Sequence, residues 1–461
     1  MEQTIVFGDA TVNVTLPDRT HIVSPGLSIP LDPVQDLASA VREALTRPED
    51  LPPLRVLARG KRRVTVAFDD ATVPCYAPVW SIAIPLVLAE LEAGGVRRED
   101  VTLLCANALH RMFTHEELAT LIGPDLVSEF GDRLVCHDAE DPEMIEHLGT
   151  TPNGFHVELS RHVTDADLCV YVNCSTVRGF SGGWKSICVG LSTYRSIRHH
   201  HNPDDMSMST ERNRMHEMLD EMGELVTKRL GVDRIFKLET ILANPLQVAA
   251  IRAGTVDGTR RIALETNRTH MPPRRTLLEE KVDVVVYGVP EWSPYAAFSY
   301  LNPILTLIST GLGYLGGMIE ALGKPGCSVI LATPCRDRWD DVHHPSYREV
   351  WERVLPETRD PYRASELFET EYATRADYIE RYRFGYGFHP VHAIMALFPL
   401  KRLRHASRVL VGGSENPSLV SHAGFIPAGS VEEALGAAFE IHGSDAEVAL
   451  VPYPPAFNRQ L

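Results

Sequence analysis

Leu168-Cys169-Val170-Tyr171-Val172 and, a few residues later, Gly179-Phe180-Ser181-Gly182-Gly183-Trp184-Lys185-Ser186 decide how this chain is read. The first stretch is a continuous apolar run, the pattern of a buried strand. The second is a glycine-rich turn that carries a lysine; glycines let a backbone bend tightly and let a bulky group come close. Ser192 to His201 reads as a helix end with three histidines, His199, His200 and His201, the last sixteen residues past Lys185. A lysine between such a strand and such a helix sits where open α/β sheets place their ligands. A phosphate-binding loop needs glycine directly before its lysine, and Trp184 occupies that position, so this reading is rejected. A plain turn with an ordinary surface lysine is the competing reading of these residues taken alone.

Working outward, strand-like runs alternate with helical ones, which predicts an α/β architecture. Val64–Phe68 is a short apolar strand ending at Asp69-Asp70. Ser81–Ala93 has helical spacing and stops at Gly94-Gly95. Val101–Ala106 is a further strand just before His110, and Thr114 with Glu117 three residues on forms a capping box. Three candidate functional segments, Asp69–Pro74, Asn107–Thr114 and Ser175–Lys185, therefore follow the carboxyl ends of predicted strands. Thr269–Arg275 reads as a linker, and Val282–Tyr287, Cys327–Ala332 and Arg408–Val411 as strands of a second half. Gly311–Gly317 marks close packing or a bend in a helical region, and Arg336–Gly387 a charged, aromatic, helical excursion. The expected division is residues 1–272 as the cofactor-binding and catalytic domain and 280–461 as a second α/β domain. The final segment is free to pack back on the first domain. The sheets are expected to be mostly parallel and to flank an interdomain active-site cleft.

A length of 461 residues allows two or three domains. The formal net charge of −16 argues against nucleic acid or an anionic membrane as partner. Met1–Val14 alternates like a strand and lacks the basic start and apolar core of a signal peptide. The eight cysteines form no Cys-x-x-Cys pair and read as reduced thiols in a cytoplasmic protein.

Gly-Phe-Ser-Gly-Gly-x-Lys-Ser-Ile with a histidine sixteen residues past the lysine resembles the signature of the nickel-dependent lactate racemase family. The resemblance implies that Lys185 carries a covalently tethered nickel-pincer nucleotide, through a thioamide to its pyridinium ring. Gly182, Gly183 and Ser186 then belong to the cofactor site. It implies His201 as the protein ligand to nickel, with His199 and His200 as alternatives. Asn107-Ala108-Leu109-His110-Arg111 is similar to the family's catalytic-histidine segment, so His110 is expected as general acid/base, a role imidazole suits near neutral pH. Asp70, Thr72 and Pro74 match the family's Asp-x-Thr-Arg-Pro loop and are expected at the cofactor, Asp70 also in catalysis; a tight Asx turn is the plain reading of the same residues. Tyr300 matches a tyrosine that reaches the site from the second domain.

The chain also departs from the pattern. Val73 stands where the family has arginine, Ser175 where it has a second catalytic histidine ten residues before the tether lysine, and Ile304 at a lysine position. Loss of two cations removes carboxylate binding, so a larger or less polar alcohol than lactate is expected. Arg178, Arg195, Arg336 and Arg338 are candidate anion partners. Ser175 is kept as a candidate catalytic residue at that position, although serine is a poor base unless another group activates it. The expected reaction is racemisation or epimerisation at a hydroxyl-bearing carbon, by hydride removal and return. The alternatives are a redox or elimination enzyme with the same cofactor, or a non-catalytic nucleotide- or metal-binding paralogue. Cofactor-maturation enzymes are the implied partners, and a homo-oligomer is left open.

Overall fold

A computed structural model describes residues 1–23, 32–175, 181–205, 214–270, 278, 280–314 and 319–453. The chain divides into two compact units, Ser28–Met271 and a second made of Met1–Leu27 with Pro272–Leu461. The start of the chain thus belongs with the C-terminal half, whereas the sequence reading grouped residues 1–272.

The chain begins with β1 (Glu2–Phe7) and β2 (Ala10–Thr15), an antiparallel hairpin, and β3 (His21–Ile22). The middle unit then supplies β4 (Val64–Asp69), β5 (Val101–Ala106), β6 (Leu134–Cys136), β7 (Ile145–Thr150), β8 (His156–Ser160), β9 (Leu168–Ser175), β10 (Ile235–Asn244) and β11 (Gln247–Gly254). Its main sheet runs β11-β10-β9-β4-β5-β6, parallel except for the antiparallel β11, while β7 and β8 form a separate hairpin. From β4 the chain proceeds to β5 and β6 on one side, then returns to β9 and β10 on the other. The strand order therefore reverses between β4 and β9, and the crevice at their carboxyl ends is where such sheets bind ligands.

Every residue of β4 is buried, as is nearly all of β9, because helices cover both faces of a parallel sheet. The helix Val79–Ala93 lays Trp80, Ile84, Val87 and Leu91 on this core with Val66, Phe68, Leu103 and Val170. Each such side chain contributes roughly 1.5–3 kcal/mol by leaving water. The helix stops at Gly94, where a Cβ would lie 2.6 Å from the Ala58 Cβ and 2.7 Å from the Arg55 carbonyl oxygen. Thr114 and Glu117 form the expected reciprocal capping box.

The second unit contains β12 (Val282–Gly288), β13 (Gly323–Ala332), β14 (Arg408–Gly412), β15 (Ile426–Ala428) and β16 (Val448–Val451). Its sheet, β15-β14-β13-β12-β16-β3, is parallel throughout. The final segment stays in this unit: β16 lies between β12 and β3, and the β1–β2 hairpin lends Ile5, Val14 and Leu16 to the same core. A wide π-type helix, Ile304–Tyr314, brings Gly311 within 2.7 Å of the Leu331 side chain if a Cβ were added, which is the close packing the glycines announced. The excursion between β13 and β14 is helical, anchored by the fully buried Tyr347, Tyr372 and Tyr382.

Two local expectations change. The helix Val256–His270 continues through the start of the expected linker, whose remaining residues, 271–275, lie outside the described ones. Ser192–His201 forms only one helical turn, Tyr194–Ile197; the Ile197 carbonyl then accepts from both His200 and His201 backbone N–H groups, and the segment leaves the helix before Pro203. Among the described residues, no helix is long and apolar enough to cross a membrane.

Candidate active site

The site grows from one face of β9. Side chains alternate along a strand, so Tyr171, Asn173 and Ser175 share a face. All three meet the segment that carries Lys185. Ser175 Oγ would be 2.7 Å from a Cβ on Gly182, Asn173 Oδ1 accepts from the Ser186 hydroxyl, and the Tyr171 hydroxyl would be 3.1 Å from a Cβ on Gly190. Lys237 and Glu239 stand beside them on β10, in register with Tyr171 and Asn173. The Lys185 segment is thus laid along a polar stripe in two otherwise apolar strands.

The turn is pinned from below. Lys237 Nζ donates to the Gly183 carbonyl at 2.9 Å, and Arg260 donates to the Ser181 carbonyl at 2.6 Å. Lys237 and Glu239, both fully buried, form an ion pair at 2.8 Å, and Ser175 Oγ donates to Glu239 Oε1. Gly182 has φ +84° and Gly183 φ +60°, and at Gly182 a side chain would collide with the Glu239 carboxylate. Trp184 donates from Nε1 to Asp257 at 2.8 Å. Gly179, Phe180 and Arg178 lie outside the described residues.

Lys185 itself is half-buried. Burial pushes its ammonium down to about 8, while the Asp69 and Asp70 carboxylates oppose that fall. Asp69 ends β4; it accepts from the Cys174 N–H at 2.6 Å and the Tyr171 hydroxyl at 3.0 Å, and burial raises it to about 7.

Asp70 makes the expected tight turn: its Oδ1 accepts from the Thr72 hydroxyl at 2.5 Å and the Thr72 N–H at 3.1 Å. Its Oδ2 lies 2.8 Å from His110 Nδ1, and the Thr72 hydroxyl lies 3.2 Å from the same nitrogen. A carboxylate accepts only, so this network assigns the proton to Nδ1 and the lone pair to Nε2. His110 follows Ala108, which has φ +48°, a left-handed conformation that non-glycine residues adopt at a cost. Val73 packs its side chain against the core.

The histidine trio separates by environment. His199 Nε2 accepts from the His156 N–H at 3.2 Å. His200 is fully buried, is pushed down to about 3 by burial, and has an Nε2 without a hydrogen-bond partner. His201 is half-buried, with its Nδ1 2.8 Å from His200 Nδ1. His201 is thus the more exposed of this pair.

Tyr300 belongs to the second unit, where its hydroxyl donates to the Trp339 carbonyl at 3.0 Å and its ring lies 4.3 Å from the Arg338 guanidinium carbon. The candidate anion partners are engaged with acids: Arg195 with Glu158 at 3.1 Å, Arg336 with Asp9 at 3.0 Å, and Arg338 with Glu291 at 3.9 Å. Among the described residues, no three His, Cys, Asp or Glu side chains gather as a metal site. The sequence reading missed Lys237, Glu239 and Arg260. The signal was present in Ile235-Phe236-Lys237-Leu238-Glu239, two opposite charges on one face of an apolar strand.

The lactate racemase N-terminal domain family matches residues 7–215. The lactate racemase of Thermoanaerobacterium thermosaccharolyticum is 32% identical over 164 residues, 35% of this chain and 37% of that protein. The lactate racemase of Lactiplantibacillus plantarum is 25% identical over 230 residues, 49% of this chain and 52% of that protein. The matched stretches thus span at most about half of either relative's length. The fold extends further: the lactate racemase apoprotein structure from T. thermosaccharolyticum superposes with a TM-score of 0.69 at 22% identity, covering 99% of both chains. A Thermotoga maritima protein superposes with a TM-score of 0.53 at 13% identity, covering 90% of this chain and 94% of the other. Residues 7–215 thus match the lactate racemase N-terminal domain family, and the chain shares the fold of a lactate racemase apoprotein over nearly its whole length.

Proposed function

We propose that this protein is a racemase or epimerase of a hydroxyl-bearing carbon, with a nickel-pincer nucleotide held covalently by Lys185. The observation that carries the reading is the placement of Lys185, an amine pushed down to about 8, at the same strand ends as the Asp70–His110 pair. An amine with an enlarged unprotonated fraction at neutral pH favours bond formation to a carboxyl-type carbon. The residues fit the group: the lysine is half-buried on a turn pinned by Lys237 and Arg260, and an imidazole pair, His200 and His201, follows it. When bound, the group supplies a reversible hydride acceptor, with nickel in a soft sulfur and imidazole environment.

His110 Nε2 takes the substrate's hydroxyl proton and later returns it. Asp70 holds the ring by Nδ1 and stabilises the imidazolium that forms, as the buried carboxylate of a catalytic triad does. Thr72 fixes the Asp70 carboxylate in turn. Val73, packed on the core, offers no charge to a small carboxylate, so the substrate is a larger or less polar hydroxy compound than lactate. The eight free thiols support a cytoplasmic setting.

A substrate labelled with deuterium at the carbinol carbon tests the reaction class. Inversion in ordinary water with the deuterium retained supports hydride removal and return. Washout of the label into solvent contradicts it, because a carbon acid mechanism exchanges its proton.

A further inference from the structure

His110 meets the substrate hydroxyl on one side of the reacting carbon; when hydride returns to the other face, the hydroxyl proton must be handled on the opposite side as well. The end of β9 carries a second polar pair. Ser175, half-buried, donates its hydroxyl to Glu239, whose carboxylate is fully buried and paired with Lys237 at 2.8 Å. Gly182 lies against both, so the pair sits directly beneath the tether turn. An enclosed carboxylate that is paired with an ammonium stays ionised and is acceptor-only. Asp70 stands to His110 as Glu239 stands to Ser175: a buried carboxylate bonded to a half-buried acid/base group at the end of a neighbouring strand.

We propose that Ser175 is the second acid/base residue of the site and that Glu239 is the positioning residue that takes its proton. The substrate hydroxyl proton passes to Ser175 Oγ as the Ser175 proton passes to Glu239; the reverse transfer returns it, and the charge moved is one proton in each direction. Lys237 keeps the carboxylate ionised between turnovers and prevents it from holding the proton too tightly. The role in racemisation rests on the proposed function, whereas activation of the serine does not.

A fluorophosphonate probe tests activation on the full chain without cofactor. Ser175 Oγ bonds to phosphorus, fluoride leaves, and the hydroxyl proton goes to Glu239. Peptide mapping should place the label on Ser175, at a rate that reaches a plateau below pH 7 as the carboxylate ionises. Glu239→Gln keeps the shape and should slow labelling at least about tenfold, while Ser175→Ala abolishes it. An unlabelled Ser175, a rate that climbs with hydroxide to pH 10, or Glu239→Gln at the wild-type rate overturns the proposal. The wild-type pH profile stands even where the variant fails to fold. Mass analysis of Lys185 reads the cofactor separately, so failure of one reading is distinguishable from failure of the other.

Discussion

An ordinary lysine that loses its proton near 10.5 presents about 0.03% of its amine unprotonated at pH 7, whereas Lys185, pushed down to about 8, presents about 9%. That is about a 300-fold larger pool of nucleophile before any enzyme acts on it. The cause is burial, and the two nearby carboxylates work against it by favouring the ammonium. The sign of a perturbation follows. Asp69→Asn or Asp70→Asn removes an opposing charge, so the Lys185 midpoint should fall further and its reactivity at pH 7 should rise. The assay is trace labelling of the full chain with an amine-reactive reagent across pH 6 to 11, with the Lys185 peptide quantified by mass spectrometry against exposed lysines. A midpoint about 8, moving down in either asparagine variant, is the expected result. A midpoint near 10.5, or one that moves up in the variants, would refute the assignment of burial as the dominant force.

The other expectations are more briefly stated. His110→Ala in the loaded enzyme should lower kcat by about 10²–10⁴-fold, and Asp70→Asn should follow it with a loss of at least tenfold in kcat and little change in KM; steady-state kinetics on both variants checks this. Asp69 is raised from 3.8 to about 7, so the native state keeps a proton that the unfolded chain has released. Its contribution to stability is present below pH 4, is lost as pH rises to about 7, and is level above that. The full change is at most about 4 kcal/mol, and Asp69→Asn should flatten it in urea titrations between pH 4 and 8. Gly182→Ala combines φ +84° with a collision against Glu239 and Ser175. It should cost about 1–3 kcal/mol in unfolding experiments and reduce loading of Lys185.

Periodicity carried the fold where residues are buried on both faces. Val64–Phe68, Val101–Ala106 and Leu168–Val172 announce themselves as strands because a parallel sheet leaves no polar side, and all three form adjacent strands. The glycine stop at Gly94 and the cap at Thr114 are local devices and are legible for that reason. What the chain does over long separations was hidden. Nothing in Met1–Val14 says that its hairpin joins a core built some 280 residues later, because hydrophobic burial is not directional and many apolar faces would satisfy it. Ser192–His201 looks helical by composition, yet tertiary contacts such as His199 to His156 outweigh a weak propensity. The site was read from motif residues at strand ends. Its support was not, because Glu239 and Lys237 lie on a strand past the motif, and only pairing of β9 with β10 brings them under Gly182 and Gly183.

The most direct test is intact-protein mass spectrometry with nickel analysis, on protein produced alongside a cofactor-maturation system. The account predicts a covalent adduct of nucleotide size mapping to Lys185, about one nickel per chain as Lys185 and His201 require, and loss of the adduct in Lys185→Ala without loss of fold. An unmodified chain without nickel, from cells in which a lactate racemase loads normally, would contradict it, as would an adduct that persists in Lys185→Ala.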